Sequence, residues 1–512
     1  MTRTMTFMIA LLSVFALCAR AAQQKAADPF GGTGGGPING SIQVKVVQDG
    51  STDSIEGAFV MAGLKPDLPF PGNWGFTDAS GEITFSHAGL TGPITVTAGT
   101  AGFQFFTIVS ADASEIVIPL KAITPAPAAF EVGDFVSGID VNNGLFNSGD
   151  GNVDIAFVLA AMTIEDILSF DMAGMLGPME PMVVMGQEFQ VPTNLFVPQQ
   201  YELFTEIKKD HYTIFMPAGD YTLTALSCRA SLADLQSMQV ITDLIPNLSW
   251  REVDVLNVSI SGNTSSADLT VDPDLSQTVT LQLGNLPEDS IAWCVSVGDM
   301  DALHGLGRLI PLGLNSIETL PGGAPGSGNA SLSTTAPSGE FAGMDYFPVV
   351  AVQLNSSSQL LVIADRSSHP QSYTANLSNF FQLLNLHFSR GRLQWNDVTH
   401  SSAGSPDVHL HMARITDENT GDLLWEFVVK GELQGMMVPF LPPEVTSPLM
   451  GGTTYAWDHV SLGLGYDLPS FDFNDFSFSD IFAHGSHLSI NSISILWPSK
   501  RLAPQGGMLY AK

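Results

Sequence analysis

Hydrophobic and polar residues alternate in short runs along most of the chain. Between residues 41 and 120 the runs are closely spaced, and clusters of Gly, Pro and Asp separate them without helical segments between. Alternation of this kind is typical of strands that bury one face. The runs lie at residues 42–46, 58–60, 83–85, 94–98 and 116–120. The pattern predicts an antiparallel β-sandwich in this region.

The strand pattern returns in two later regions, residues 130–320 and 345–512. Two helices are predicted in the first of them, at 163–176, between a Thr-x-x-Asp cap and a Gly-Pro stop, and at 231–239. Further strands are predicted at 154–159, 212–216, 221–227, 256–260, 279–283, 349–354, 360–364, 408–414, 423–429 and 488–496. The predicted fold class is all-β and multidomain, with antiparallel β-sandwiches and one or two short helices in the middle region.

Changes in composition divide the chain into predicted segments. They are a signal peptide (1–21), a Gly-rich linker (22–39), a first β-sandwich (40–121), a mostly β domain with short helices (130–320), a Gly/Ser/Pro-rich linker (321–344) and a C-terminal β-sandwich-like domain (345–512).

The amino-terminal segment has the features of an export signal. Arg3 gives a basic start, residues 7–19 are apolar, and Ala19 and Ala21 are the small residues that a signal peptidase reads. An alternative is a lipid anchor on Cys18, although Leu17 stands where a small residue is preferred. No later stretch reaches transmembrane length without polar interruption. We therefore expect a secreted, cell-surface or periplasmic protein, most consistent with a bacterial source.

The charge balance restricts the partners. Lys and Arg number 19 against 51 Asp and Glu, which gives a formal net charge of −32 at pH 7. A chain without a basic surface cannot neutralise phosphates, so nucleic acid is an unsuitable partner. The expected partner is an extracellular ligand or a component of a surface.

Within the first predicted sandwich, several segments resemble a known family. They are Gly-Ala-Phe-Val at 57–60, Thr-Asp-Ala-Ser-Gly-Glu-Ile-Thr-Phe at 77–85, Val-Thr-Ala at 96–98 and Ala-Gly-Phe at 101–103. Together they resemble the carboxypeptidase regulatory-like domain. The resemblance implies a transthyretin-like sandwich over residues 40–121, an accessory module of secreted and surface proteins without catalytic residues. The rest of the chain resembles no family known to us.

The residues that carry this resemblance have a physical explanation. Asp78 and Gly81 suit a hairpin turn that needs a positive φ. Phe85 and Phe103 are expected to be buried in the sandwich.

An acidic loop is the first candidate metal site. Asp140, Asn142, Asp150, Asn152 and Asp154 offer oxygen ligands, partly at alternate positions. Oxygen ligands of this kind suit Ca²⁺, which is the cofactor that this loop could bind. A cluster of turn-forming residues without a metal is the alternative interpretation.

A methionine string is the second candidate. Met172, Met175, Met179 and Met182 carry thioethers, which are ligands for Cu(I). Pro178 excludes one continuous helical stripe. The alternative is adaptable packing in a core.

Histidines in the last third of the chain form the third candidate. Asp407, His409 and His411 would share one face of a strand, where two imidazoles can bind Zn²⁺. His459 or His484 could complete such a site. The alternative is the polar outer face of a sheet.

Cys228 and Cys294 remain after removal of the signal peptide. In an oxidising compartment they can form a disulfide, but two buried free thiols fit the sequence as well.

The sequence contains no His-Glu-x-x-His, no Gly-x-Ser-x-Gly and no phosphate-binding loop. It therefore favours a non-enzymatic protein of adhesion, matrix or ligand binding, with carbohydrate as one class of ligand. Aromatic candidates for that binding are Trp74, Trp425, Trp457 and the segment 471–482, although core positions are the usual alternative. Two other hypotheses are a secreted metal-dependent hydrolase that uses His409 and His411, and a copper-binding protein that uses the methionine string.

Overall fold

The structure, a computed structural model, describes about two thirds of the chain. The described residues are 31–123, 130–133, 136–137, 152–160, 179–184, 187–197, 211–216, 219–231, 248–261, 264–265, 267–271, 275, 277–299, 309–319, 326–334, 345–354, 360–364, 372–376, 385–396, 408–464, 471–478 and 485–498. Within these ranges every regular element is a strand.

The first eight strands cover the region of the predicted first sandwich. They are β1 (Gly32–Gly34), β2 (Asn39–Gln48), β3 (Phe59–Ala62), β4 (Trp74–Phe76), β5 (Glu82–Thr91), β6 (Ile94–Gly99), β7 (Phe105–Ala111) and β8 (Glu115–Leu120).

The strands that follow fill the middle of the chain. They are β9 (Phe130–Val132), β10 (Val136–Ser137), β11 (Asn152–Ala160), β12 (Met179–Val184), β13 (Gln187–Pro192), β14 (Leu195–Phe196), β15 (Ile214–Met216), β16 (Gly219–Ser231), β17 (Ser249–Ile260), β18 (Thr264–Ser265), β19 (Leu269–Thr270), β20 (Gln277–Leu286), β21 (Ser290–Asp299), β22 (Leu309–Glu318), β23 (Gly326–Thr334), β24 (Asp345–Leu354), β25 (Leu360–Ala364) and β26 (Ser372–Asn376).

The last strands are β27 (Leu386–Ser389), β28 (Arg392–Trp395), β29 (Leu410–Asp417), β30 (Leu423–Lys430), β31 (Gly435–Met437), β32 (Thr454–Leu464), β33 (Phe476–Ser477) and β34 (Gly485–Leu496).

The all-β class is confirmed, but the prediction of one or two short helices is wrong for the described part of the chain. Ser231, the predicted start of the second helix, ends strand β16 instead, because it pairs with Asn152 of β11. Residues 163–176 and 232–239 lie outside the described residues. The sheets are also not purely antiparallel, since β2 pairs with β8, and β7 with β30, in parallel.

The chain forms two compact units. The terminal unit combines Ala22–Thr124 with Phe381–Ile481 and Leu488–Lys512. The described residues of the central unit come from Pro125–Phe380 and Phe482–His487. Both ends of the chain therefore contribute to one unit, whereas the predicted boundaries treat 40–121 and 345–512 separately; those boundaries remain predictions.

In its described residues, the terminal unit contains three sheets. The first has the order β33-β1-β8-β2-β5, and the third has the order β27-β28-β31. In the sheet that we call the long sheet, the strands of this unit run β34-β32-β29-β30-β7-β6-β3-β4. The N-terminal strands are thus divided between two sheets, with β2, β5 and β8 in one and β3, β6 and β7 in the other, as a β-sandwich requires.

One face of the long sheet and the third sheet enclose an aromatic core. The long sheet contributes side chains such as Phe59, Phe105 and Trp425, and β28 and β31 contribute Trp395 and Met436. Strand alternation places these residues on one face, because side chains repeat every two residues.

The segment predicted as a flexible linker is partly a strand. Within 22–39, β1 pairs antiparallel with both β8 and β33. A Cβ on Gly32 would lie 2.2 Å from the carbonyl oxygen of Phe476. Only glycine therefore fits between these two strands, which explains why a Gly-rich sequence is ordered here.

The turn expected from the family resemblance is present. Gly81 has φ +73° and donates its amide to the carbonyl of Asp78, while the Asp78 carboxylate accepts hydrogen bonds from Ser80 and Glu82. The Ser80 hydroxyl, chiefly, lowers the pKa of Asp78. Phe85 is buried as predicted, whereas Phe103 is only half-buried.

Several smaller sheets build the central unit. Its larger strand sets run β14-β11-β16-β17, β22-β21-β24-β25 and β23-β20-β26. Its described core is mainly aliphatic, with residues such as Leu281, Leu312 and Val350. A second cluster surrounds Phe196 and Tyr212.

Residues 472–475 form a turn. The amide of Asp475 donates to the carbonyl of Asp472, and only the short strand β33 follows, which pairs with β1. In the part of the chain that is described, no helix has the length and apolarity needed to cross a membrane.

Candidate functional site

Strand β4 presents two aromatic rings at the edge of the long sheet. It is the last strand in the order of that sheet and pairs only with β3 there. Phe76 is 53% exposed, and Trp74 is half-buried against it, with ring centroids 6.1 Å apart in an edge-to-face arrangement. Trp74 also contacts Phe59 at 6.3 Å. We call Trp74 and Phe76 the aromatic edge.

Buried polar side chains fix the chain on both sides of the aromatic edge. Before it, the fully buried Asn73 donates from Nδ2 to the carbonyl of Ala62, at 2.9 Å, and to those of two residues in the preceding loop. After it, the buried Thr77 donates to the carbonyl of Ile55 at 2.7 Å and accepts from the amide of Ala58 at 2.9 Å. The two rings are therefore held on a rigid support.

Gly75, which lies between the two rings, packs closely against the neighbouring strand on the opposite side of β4. A Cβ on Gly75 would lie 2.9 Å from Cδ1 of Ile83, which is tighter than ordinary van der Waals contact. The side of β4 opposite the rings thus packs closely against Ile83 of β5.

The other aromatic candidates are unsuited to direct binding. Trp425 and Trp457 are fully buried in the core. Phe473, Phe476 and Phe478 of the segment 471–482 are also buried, and Phe471 is half-buried. Of the described aromatic candidates, Trp74 is thus the one beside an exposed ring.

A pair of histidines lies in the aromatic core of the terminal unit. Ser461 stands directly opposite His411 in the register of β29 and β32, and His459 is two residues earlier on β32. Diagonal neighbours of this kind on one face of an antiparallel pair are close enough to contact each other. His459 Nε2 is 3.3 Å from His411 Nδ1, and the two rings are 1% or less exposed.

The pair is surrounded by hydrogen-bonding partners and indole rings. His411 Nδ1 is 2.8 Å from the Ser461 hydroxyl, and His411 Nε2 is 3.0 Å from the carbonyl oxygen of Gly431. The ring centroid of Trp395 is 4.3 Å from that of His459 and 4.9 Å from that of His411. Burial, together with the neighbouring His411, holds the pKa of His459 well below its ordinary value of 6.5.

The predicted pairing of His409 with His411 in a zinc site finds no support in this geometry. His409 Nδ1 accepts the amide of Leu464 at 3.0 Å, and His411 faces the core beside His459. No group of three or more His, Cys, Asp or Glu side chains among the described residues could hold a metal ion. His484 and Asp407 lie outside the described residues.

Asp154 of the predicted calcium loop has a different partner. It is buried on β11, and both its carboxylate oxygens accept hydrogen bonds from Arg229, at 2.7 and 2.8 Å. The register places the two residues opposite each other on β11 and β16. This ion pair occupies both oxygens of Asp154, and the calcium site remains a prediction. Asp140, Asn142 and Asp150 lie outside the described residues, and Asn152 begins β11.

Met179 and Met182 of the methionine string belong to β12, and Met172 and Met175 lie outside the described residues. Cys228 and Cys294 are free and fully buried, so the disulfide left open by the sequence is not formed. Burial raises the pKa of the Cys294 thiol to about 12, and it also raises the pKa of Cys228. Both thiols are thus poor nucleophiles at neutral pH.

Sequence reasoning missed the exposed Phe76, and it named His459 only as one of two residues that could join His411. Phe76 lies in a Trp-Gly-Phe triplet, and Gly75 between two aromatics is a signal for a close backbone approach. The histidine pair depends on strand register and has no local signal.

No family model matches this chain, and no curated protein matches it either. Solved structures with some similarity include the TIE protein of Bacillus anthracis, at 11% identity and a TM-score of 0.14, over 66% of this chain and 50% of that protein. The chain therefore spans about half the length of the TIE protein.

Two other solved structures are similar at the same level. They are the fimbrial anchor protein Mfa2 of Porphyromonas gingivalis (9% identity, TM-score 0.14, 44% of this chain and 79% of that chain) and a Streptococcal ancillary pilin (12%, 0.15, 46% and 63%). TM-scores this low do not establish a shared fold, and the assignment of function rests on the site itself.

Proposed function

We propose that this chain is an exported, non-enzymatic β-sandwich protein of the bacterial surface, which binds an extracellular ligand through the aromatic edge. The observation that carries the proposal is the exposed Phe76 beside Trp74 on a rigid edge strand. Rigid aromatic side chains provide large contact areas at a small cost in conformational entropy, and they dominate the binding energy of many interfaces.

Export is supported by the signal-peptide pattern at residues 1–21, with cleavage after Ala21. The two-sheet arrangement of β2–β8 supports the interpretation of residues 40–121 as an accessory module similar to the carboxypeptidase regulatory-like domain. In this interpretation the module carries the binding surface and no catalytic residue.

A neutral saccharide is the class of ligand that we propose. Aromatic rings can stack on the apolar faces of sugar rings, and Trp74 and Phe76 provide two rings close together. The net charge of −32 opposes the approach of acidic ligands, including sulfated and sialylated glycans.

The test is a screen of the chain without residues 1–21 against neutral and acidic glycans and matrix proteins, followed by calorimetry on any ligand found. Phe76→Ala is expected to weaken binding at least about tenfold, or about 1.4 kcal/mol. Leu496→Ala is the matched control, because Leu496 is a 65% exposed apolar residue of the terminal unit on a different strand.

Two results would contradict this proposal. One is the absence of binding to every ligand in the screen by a chain that is folded. The other is equal binding by the Phe76→Ala and Leu496→Ala variants, which would place the binding surface elsewhere. Binding to a matrix protein that requires Phe76 would retain the surface and reject the saccharide.

A further inference from the structure

A buried histidine of the terminal unit lacks the partner that a positive charge would need. Nδ1 of His459 is buried without any hydrogen-bond partner, and Nε2 faces Nδ1 of His411 at 3.3 Å. We propose that the His411–His459 pair is an acid-sensitive switch, which destabilises the terminal unit when the surroundings become mildly acidic.

The hydrogen bonds of the pair are compatible with two neutral rings. If His411 Nε2 donates to the carbonyl of Gly431, its Nδ1 can accept from Ser461 or from His459. If His411 Nε2 instead accepts from the indole N–H of Trp395, at 3.2 Å, its Nδ1 donates. In both tautomers His459 is neutral and has one ring nitrogen without a partner.

Protonation of His459 would place an N–H on both ring nitrogens. The N–H at Nδ1 would then be buried without an acceptor, and the charge would have no solvent to stabilise it. The rings nearest to His459 are His411, Trp395 and Trp457, and none of them carries a negative charge.

The charged groups of the surrounding elements lie elsewhere. On β29, β30 and β32 most of them alternate with the residues of the aromatic core and so point to the opposite face of the long sheet. The exception is Asp417, which ends β29 opposite Tyr455 and accepts the amide of Asn419, whereas His459 pairs with Ala413 four residues earlier. On that core face, Tyr455 is the titratable neighbour on β32 besides the pair. The groups on these strands that point to the opposite face are Arg414, Glu426, Lys430 and Asp458. Neighbouring elements carry Glu432, in the turn after β30, and His387 and Arg392, on β27 and β28.

The direction of the pH dependence follows from the depressed pKa of His459. Above pH 6.5 the His459 ring is neutral in both the folded and the unfolded chain, so its protonation does not reduce the stability of the terminal unit. Below pH 6.5, His459 binds a proton in the unfolded chain but not in the folded unit, so the population of the unfolded state increases. Until the lower pKa of the folded state is reached, the opening equilibrium constant rises by about tenfold per pH unit.

The experiment is hydrogen exchange by mass spectrometry on the chain without residues 1–21, between pH 8 and pH 5, with a chelator present. After correction for intrinsic exchange rates, the protection of β29 and β32 is expected to fall by about tenfold per pH unit below pH 6.5. His459→Gln is expected to remove most of this fall. His387→Gln, at an exposed histidine of the same unit, is expected to leave it unchanged.

A second measurement serves if the His459→Gln chain fails to fold. Exchange of the imidazole C2 hydrogen in the unmodified chain reports the protonation of each histidine. His459 is expected to show no protonation step near pH 6.5, and a step there would overturn the proposal. An unchanged pH dependence in folded His459→Gln would overturn it as well. Protection that depends on added zinc would instead identify the pair as a metal site.

Discussion

The two units stabilise their interiors with different kinds of side chain. The described core of the central unit is built mainly from Leu, Val and Ile, and the same unit contains an ion pair between Asp154 and Arg229. The core of the terminal unit contains Trp395, Trp425 and Trp457 together with two histidines.

The difference affects how the core of each unit depends on pH and on hydrogen bonds. Aliphatic side chains carry no ionisable group, so their packing in the central core does not depend directly on pH. Indole and imidazole rings bring N–H groups into the interior that need acceptors. Trp425 finds one, since its Nε1 donates to the hydroxyl of Thr107 at 2.9 Å. The terminal core therefore depends on hydrogen bonds within it.

The largest expected effect is the loss of an indole ring from the terminal core. Trp425→Ala removes contacts with Phe105 and Phe427, whose ring centroids lie 5.2 and 5.4 Å away, and also removes the bond to Thr107. We expect a loss of about 3–5 kcal/mol in the free energy of unfolding. Denaturant titration followed by hydrogen exchange would measure the loss in the terminal unit.

Trp250→Ala is the matched change in the central unit, where Trp250 is only half-buried against Phe157. A smaller loss is expected there. An equal loss in both units would contradict the view that aromatic packing matters more in the terminal unit.

The next effect concerns the buried ion pair of the central unit. Asp154→Ala leaves the guanidinium of Arg229 without its partner, and we expect a loss of about 3 kcal/mol. The double variant Asp154→Leu with Arg229→Met should recover much of the loss, because no uncompensated charge remains. Lys430→Ala, which breaks an exposed ion pair with Glu432, should change stability by less than about 1 kcal/mol.

The ion-pair experiment also addresses the predicted calcium site. If Asp154 were a calcium ligand, added Ca²⁺ would stabilise the unmodified chain and not the double variant. Equal thermal stability with calcium and with a chelator agrees with the ion pair.

The smallest expected effect is at Asp458, on the long sheet. Burial raises the pKa of this carboxyl, against the opposing effects of the Ser492 hydroxyl, at 2.5 Å, and Arg414. A raised folded pKa means that its contribution to stability is complete below pH 3.8, the ordinary value, and is lost as the pH rises through the folded pKa. This direction is opposite to that of His459.

Asp458→Asn should therefore be neutral or stabilising at pH 7, by about 1 kcal/mol or less, and the difference should shrink at low pH. Urea titrations at pH 7 and pH 4 would measure it. A variant clearly less stable at pH 7 would show that the carboxylate's attraction to Arg414 outweighs the cost of its burial.

The sequence predicts most of the strands, because alternation is a local property. The runs at 42–46 and 94–98 lie within β2 and β6, and the run at 423–429 lies within β30. Strand β1 is missed because its glycines give no hydrophobic signal, and β7 because Phe105–Ala111 is buried on both faces and does not alternate.

Which strands become neighbours cannot be read from local pattern. Asp154 looks like a cation ligand in the sequence, since the register that brings Arg229 to it joins strands 75 residues apart. His459 meets His411 for the same reason, because the register of β29 and β32 sets the contact. Exposure of the aromatic edge likewise depends on β4 being the last strand of its sheet.

The parallel pairing of β7 with β30 has a consequence while the chain is being synthesised. Thr107 precedes Trp425 by 318 residues, and residues Pro125–Phe380 of the central unit are encoded between them. At typical rates of translation the ribosome needs roughly 15–60 s to cover that distance. Throughout this interval the free edge of β7 has no strand to complete it. The nascent chain is therefore most vulnerable to aggregation while its second half is still being synthesised.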